Sequence, residues 1–184
     1  MMDSQLFSLK RKAEHYQEIL KNTEDYRAAW QNELKDQIIQ HLQTLNEQLE
    51  LNAEIETRSE MENLEAILFS LGETRSGMYQ KVNDDIKRHL IKHNGSLIYQ
   101  QLFNGKVIVL INYPFIEGYG KPAPPKTVAI YRPEELKEPF FIRHMEEFLV
   151  EITRWEDYDD EEPQPQHQRI GFDMNFGQTE QQEG

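Results

Sequence analysis

Apolar and polar positions change period along this chain, and each change marks an element. From Ser4 to Gln48 the spacing is helical: Leu6, Leu9, Ala13, Tyr16 and Leu20 recur at steps of three and four, without a glycine or proline in the stretch. It continues less regularly through Trp30, Leu34, Ile38, Leu42, Leu45 and Leu49. Ser4 can cap the start, and Asn22-Thr23-Glu24-Asp25 resembles a second N-terminus, with a capping hydroxyl and acids in the first turn. Residues 4–48 therefore predict one very long helix, or two meeting near Asn22. A stripe of this length either packs on the domain's own sheet or pairs with a second copy.

Period two follows. "LELNAEIET" places Leu49, Leu51, Ala53, Ile55 and Thr57 on one face and four polar residues on the other, a half-solvated strand. "NLEAILFSL", 63–71, predicts a more buried strand. In "VNDDIKRHLIKHNG", 82–95, Val82, Ile86 and Leu90 recur at helical steps, Asn83 or Asp84 can cap, and Asn94-Gly95 can terminate, which predicts a short middle helix. "SLIYQQLFNGKVIVLINY" is two strand patterns joined by Asn104-Gly105, which predicts a hairpin with a type I′ turn. "KTVAIY", 126–131, is a further strand. "PFFIRHMEEFLVEITRW", 139–155, is an amphipathic helix with Phe141, Met145, Phe148, Leu149, Ile152 and Trp155 on one face. Strands clustered in mid-chain and bracketed by helices predict an α+β fold with a largely antiparallel sheet of about five strands. The organisation expected is a helical arm at 1–48, an α+β body at 49–155 and a disordered acidic tail at 156–184.

Charge sharpens that division. The 184 residues carry a formal net charge of −13. Residues 156–184 contribute −8 of it, from nine acids and the single base Arg169. An acidic body argues against nucleic acid or an anionic membrane as partner, since both call for a positive surface. There is no cysteine, which excludes disulfides, thiolate metal sites and cysteine nucleophiles. The start lacks an apolar signal region and the longest apolar run is "VIVLI", 107–111, so a cytoplasmic protein is expected.

Candidate chemistry is sparse. Asp85, His89 and His93 would share one helical stripe, but Lys87, Arg88 and Lys92 stand among them and oppose a cation, so a solvated face is expected there and no metal or cofactor. "GETRSG", 72–77, has the glycine spacing of a phosphate loop but continues with Met78-Tyr79 instead of Lys-Ser/Thr. No spacing nominates a catalytic residue. His144 is expected as a packed histidine.

Three features point instead to protein contacts. The arm offers Leu6, Leu9, Tyr16, Leu20, Trp30 and Leu34 for self-association, with a dimer favoured. The loop "YPFIEGYGKPAPPKT" offers Tyr113, Phe115, Tyr119, Pro122 and Pro125. The tail ends in "RIGFDMNF", 169–176, where Ile170, Phe172, Met174 and Phe176 alternate as in a strand that can join a sheet edge. These features predict a non-enzymatic interaction or adaptor protein whose partners are other proteins and a second copy. The alternative is a small-ligand binder or enzyme with a pocket between the sheet and the 114–126 loop, using Tyr99, Glu117, Tyr119, Tyr131 and Arg132.

Overall fold

The computed structural model describes residues 2–158. The N-terminal stretch is one continuous helical rod. Helix α1 (Met2–Ala29) runs into a π-helical segment (Trp30–Leu34) and then into α2 (Lys35–Leu49). Between the two helices the chain stays in the right-handed region at both Leu34 and Lys35, so the hydrogen-bonded run changes pitch without breaking. The Asn22 region is helix interior, and the Thr23 hydroxyl bonds back to the Ile19 carbonyl instead of capping. The rod ends where Glu50 turns left-handed at φ 52°. Asn46 then holds the exit strand: its side chain accepts from the Ala53 N–H and donates to the Ala53 carbonyl, both at 2.9 Å. Leu49 thus belongs to the helix, and the first strand starts later than its alternation suggested.

Five strands form the main sheet: β1 (Glu54–Arg58), β2 (Ala66–Ser70), β5 (Ser96–Gln101), β6 (Val107–Asn112) and β8 (Lys126–Tyr131). Their order is β1-β2-β5-β6-β8, and every pairing is antiparallel. The rod and the C-terminal helix α3 (Glu138–Glu156) supply the other half of the core. Trp30, Leu34, Ile38 and Leu42 pack with Ile67, Phe69, Leu97, Tyr99, Val107, Val109 and Ile111 of the sheet and with Phe141, Met145, Phe148 and Ile152 of α3. Each fully buried Leu, Ile or Phe contributes roughly 1.5–3 kcal/mol, so this layer dominates stability. Alternate residues Ala66, Leu68 and Ile98 form a smaller cluster with Leu110.

The predicted middle helix does not form. Residues 87–93 are a strand, β4 (Lys87–His93), paired with β3 (Glu73–Lys81) and with the two-residue β7 (Phe115–Ile116) in a second sheet. The helical spacing of Val82, Ile86 and Leu90 was coincidental: only Leu90 is buried, while Val82 and Ile86 are exposed. Asn83 accepts from the N–H groups of Asp85 and Ile86, as a helix cap would. Here the same bonds close a tight turn, sealed by Val82 N–H to the Ile86 carbonyl at 3.0 Å. What decides for strand is the partner β3, which is mostly polar and exposed and so shows no apolar alternation.

The Asn104-Gly105 hairpin forms, with a different turn. Gly105 adopts φ +79°, but Asn104 is not left-handed, so the turn is not type I′. Leu102 and Gly105 close a wider loop through Gly105 N–H to the Leu102 carbonyl at 2.9 Å. The 114–126 segment is not wholly irregular, since Phe115 and Ile116 join β4.

Candidate functional site

The first 19 described side chains of α1, residues 3–21, are all exposed. Body contact begins at Asn22: Asn22, Thr23, Tyr26, Arg27 and Ala29 are half-buried and Trp30 fully so. Arg27 Nη2 donates to the Phe103 carbonyl at 2.8 Å, tying the helix to the β5–β6 loop. At 100° per residue, the body-facing line through residues 22–30 is centred about a quarter turn from the line through Leu6, Leu9, Ala13, Tyr16 and Leu20. The seam is therefore a separate face, not an extension of the core stripe. The π segment keeps the later residues on the body side: its wider turns lag the α-helical rotation, so Leu34, Ile38 and Leu42 reach the core although simple counting would put them back on the seam.

The proposed self-association residues consequently divide. Leu6, Leu9, Tyr16 and Leu20 lie on the projecting arm and are 50–64% exposed. Trp30 and Leu34 are buried in this chain's own core and leave the set.

A second apolar surface lies at the other end of the rod. The outer sides of α2 and α3 leave a groove of about 650 Å³ between them. Leu45 and Leu49 form one wall, and Ile142, Leu149 and Val150 the other. Glu146, Arg154 and Asp157 stand among them. The sequence marked Leu45, Leu49 and Leu149 only as stripe residues of their own segments, not as a shared surface. The available signal was the line Ile142-Glu146-Val150, a partly apolar stripe at steps of four beside the core face of the last helix.

The loop residues divide as well. Tyr113 is half-buried and donates its hydroxyl to Glu151 Oε2 at 2.8 Å. Burial, then the bond to that carboxylate, pushes its pKa up to about 12. Phe115 is half-buried and stacks on His93 with ring centroids 4.3 Å apart. Tyr119 is half-buried and bridges to Ile116. Pro122 and Pro125 are exposed. The loop thus tucks its aromatics inward and presents its prolines. Ile170, Phe172, Met174 and Phe176 lie outside the described residues, as does the rest of the tail after Tyr158.

The groups considered for a ligand pocket near that loop bond to neighbours within the body. The Tyr99 hydroxyl meets His144 Nδ1 at 2.9 Å, and the Tyr131 hydroxyl meets His144 Nε2 at 2.8 Å. Burial lowers the His144 pKa to about 4, so the ring is neutral, with one donor and one acceptor nitrogen. One tyrosine therefore donates to it and the other accepts. Glu117 bonds His93 Nε2 at 2.8 Å, while Glu73 lies 3.1 Å from His93 Nδ1. The Arg132 N–H donates to Glu135 Oε2 at 2.7 Å. Asp85, His89 and His93 share no helical stripe: Asp85 lies in the turn, His89 packs against Tyr79, and His93 lies between the two glutamates.

Two further polar clusters are structural in the same way. Glu65 Oε2 accepts from Trp30 Nε1 and Lys35 Nζ, both at 2.9 Å. Glu151 accepts from Tyr113 and from Lys126 Nζ. Burial would raise both carboxyl pKa values, but these bonds outweigh it and hold them below the usual carboxylate range. No helix among the described residues is long and apolar enough to cross a membrane. Compared with family models, curated proteins and solved structures, the chain matches none.

Proposed function

We propose that this chain is a non-enzymatic interaction protein that assembles with a second copy of itself and presents its proline loop and its tail to other proteins. The projecting arm carries the reading. Leu6, Leu9, Tyr16 and Leu20 face solvent on a helix that does not use them to pack its own body. A helix exposed on all sides gains little from its own turns, since helices in proteins are stabilised mainly by burying an apolar face. The seam keeps strict three-four steps over two heptads, the spacing that buries against another helix. The polar clusters of the body favour the same reading, because their hydrogen bonds are spent internally on holding helices to the sheet.

The test is the mass of the full-length protein by light scattering over a range of concentrations. Mass is expected to rise above the 21.9 kDa of one chain. Replacing Leu9 and Tyr16 together by Lys is expected to return it to that of one chain while the body stays folded by near-ultraviolet circular dichroism. A wild-type protein that stays monomeric at high concentration overturns the self-assembly reading.

A further inference from the structure

We propose that the groove between α2 and α3 is the receptor for the α1 seam of a second copy, so that two chains exchange arms. The proposal rests on the self-assembly reading above and names the surface that the arm meets.

The arm cannot fill its own groove. Leu9 and Leu45 sit on one unbroken rod, roughly 54 Å apart along its axis at 1.5 Å per residue. An occupant of that kind must come from another chain. Dimensions agree: residues 3–21 span about 28 Å of helix, and the groove follows α3 from Ile142 to Asp157, about 22 Å. Chemistry agrees too. Leu6, Leu9, Ala13, Tyr16 and Leu20 are anchors at helical steps, the pattern by which an amphipathic helix fills an apolar groove.

Charge selects between the arm and the other apolar segment of this chain. Lys10 and Lys12 flank the seam, about 80° to either side of it. The groove carries the carboxylates of Glu146 and Asp157, and its one base, Arg154, lies 3.5 Å from Glu151. The basic stretch of the arm complements that lining. The tail begins beside the groove, but residues 158–184 bear −6, seven acids against Arg169, which the groove carboxylates repel. Its apolar residues also alternate at period two, which suits a sheet edge and not a cleft between helices. Exchange is reciprocal: each copy gives one arm and one groove, so the contact closes as a two-fold dimer with two equivalent interfaces.

Two single variants of the full-length chain test this by sedimentation equilibrium. Leu9→Lys spoils the arm, and Val150→Lys spoils the groove; both positions are half-exposed or more, so the fold tolerates the change. Each alone is expected to weaken dimerisation roughly tenfold or more, because a charge is forced into an apolar contact. An equimolar mixture is expected to recover part of the association through one intact interface, since the Val150→Lys copy keeps a sound arm and the Leu9→Lys copy a sound groove. If Val150→Lys unfolds the protein, Ile142→Lys replaces it. Normal dimerisation of the groove variant beside loss in the arm variant overturns arm exchange and leaves self-assembly through the seam standing. Loss in both without recovery on mixing also overturns exchange. Normal dimerisation of both variants, or a monomeric wild type, overturns the self-assembly reading itself.

Discussion

The indole N–H of Trp30 donates to Glu65 Oε2 at 2.9 Å, and this bond fastens the long helical rod to the segment that leads into β2. It joins residues 35 positions apart at the point where the rod stops projecting and starts packing. Lys35 Nζ reaches the same oxygen at 2.9 Å, and the Glu65 N–H donates to Gln101 Oε1. A buried carboxylate is tolerable only because two donors meet it.

Glu65→Gln should therefore cost about 1–3 kcal/mol, since Lys35 loses its counter-charge in a half-buried site. The pH dependence has a definite sign. The folded carboxyl titrates below its ordinary value of 4.5, so its stabilisation is present above that pH and is lost as pH falls through the lower folded value. Urea denaturation of both proteins between pH 7 and 3 reads this. The gap between them should be widest at pH 7 and shrink below pH 4.5. A gap that does not change with pH removes the ion pair from the account.

His144 titrates in a different window. Its ring is 1% exposed, and burial lowers its pKa to about 4. An unfolded histidine binds its proton near pH 6.5, so between 6.5 and 4 the unfolded chain holds the extra proton. Stability from this group is complete above pH 6.5 and declines as pH falls toward 4. The decline between pH 7 and pH 5 should be on the order of 2 kcal/mol. His144→Phe should be less stable at pH 7 by about 1–3 kcal/mol, because the Tyr99 hydroxyl is left buried without its partner. The same variant should lack the His144 share of the slope between pH 7 and 5. An unchanged slope would mean that some other group carries it.

The sequence was informative where burial on one face imposes a period. Phe141, Met145, Phe148 and Ile152 define α3 from spacing alone, and Val107, Val109 and Ile111 define the inner face of β6. It was misleading where exposure removes the pattern. Tyr79, Val82 and Ile86 are all exposed, so nothing in 73–86 marks a hairpin, and a chance helical spacing took its place.

The proposed interaction surfaces were half visible for a related reason. Leu6, Leu9, Tyr16 and Leu20 were found because an unused seam still keeps helical steps. Leu34 was grouped with them because simple counting at 3.6 residues per turn returns it to the stripe, and only the π segment breaks that phase; Trp30 stands about 80° off the seam even by simple counting and follows the body-facing line. The groove is tertiary: Leu45 and Leu149 are about a hundred residues apart, and no local period links them.

Gly105 tests how firmly the arm's base is seated. The residue holds φ +79°, a conformation that costs an L side chain roughly 1 kcal/mol or more. A methyl group there would also stand 2.7 Å from Tyr26 Cβ and 2.9 Å from the Thr23 carbonyl oxygen. Both contacts lie on α1, so the turn of the β5–β6 hairpin presses directly on the first body-facing turns of the rod. Gly105→Ala should therefore destabilise by more than its backbone cost alone, about 2 kcal/mol or above. The control is Gly77→Ala, at φ +78° with open space around it, which isolates the backbone contribution. Thermal unfolding of both variants gives the comparison. A loss at Gly105 clearly greater than at Gly77 supports a tight seat for the helix. Equal losses would mean that α1 shifts away from the turn at no cost, and that the arm is hinged at its base instead of fixed.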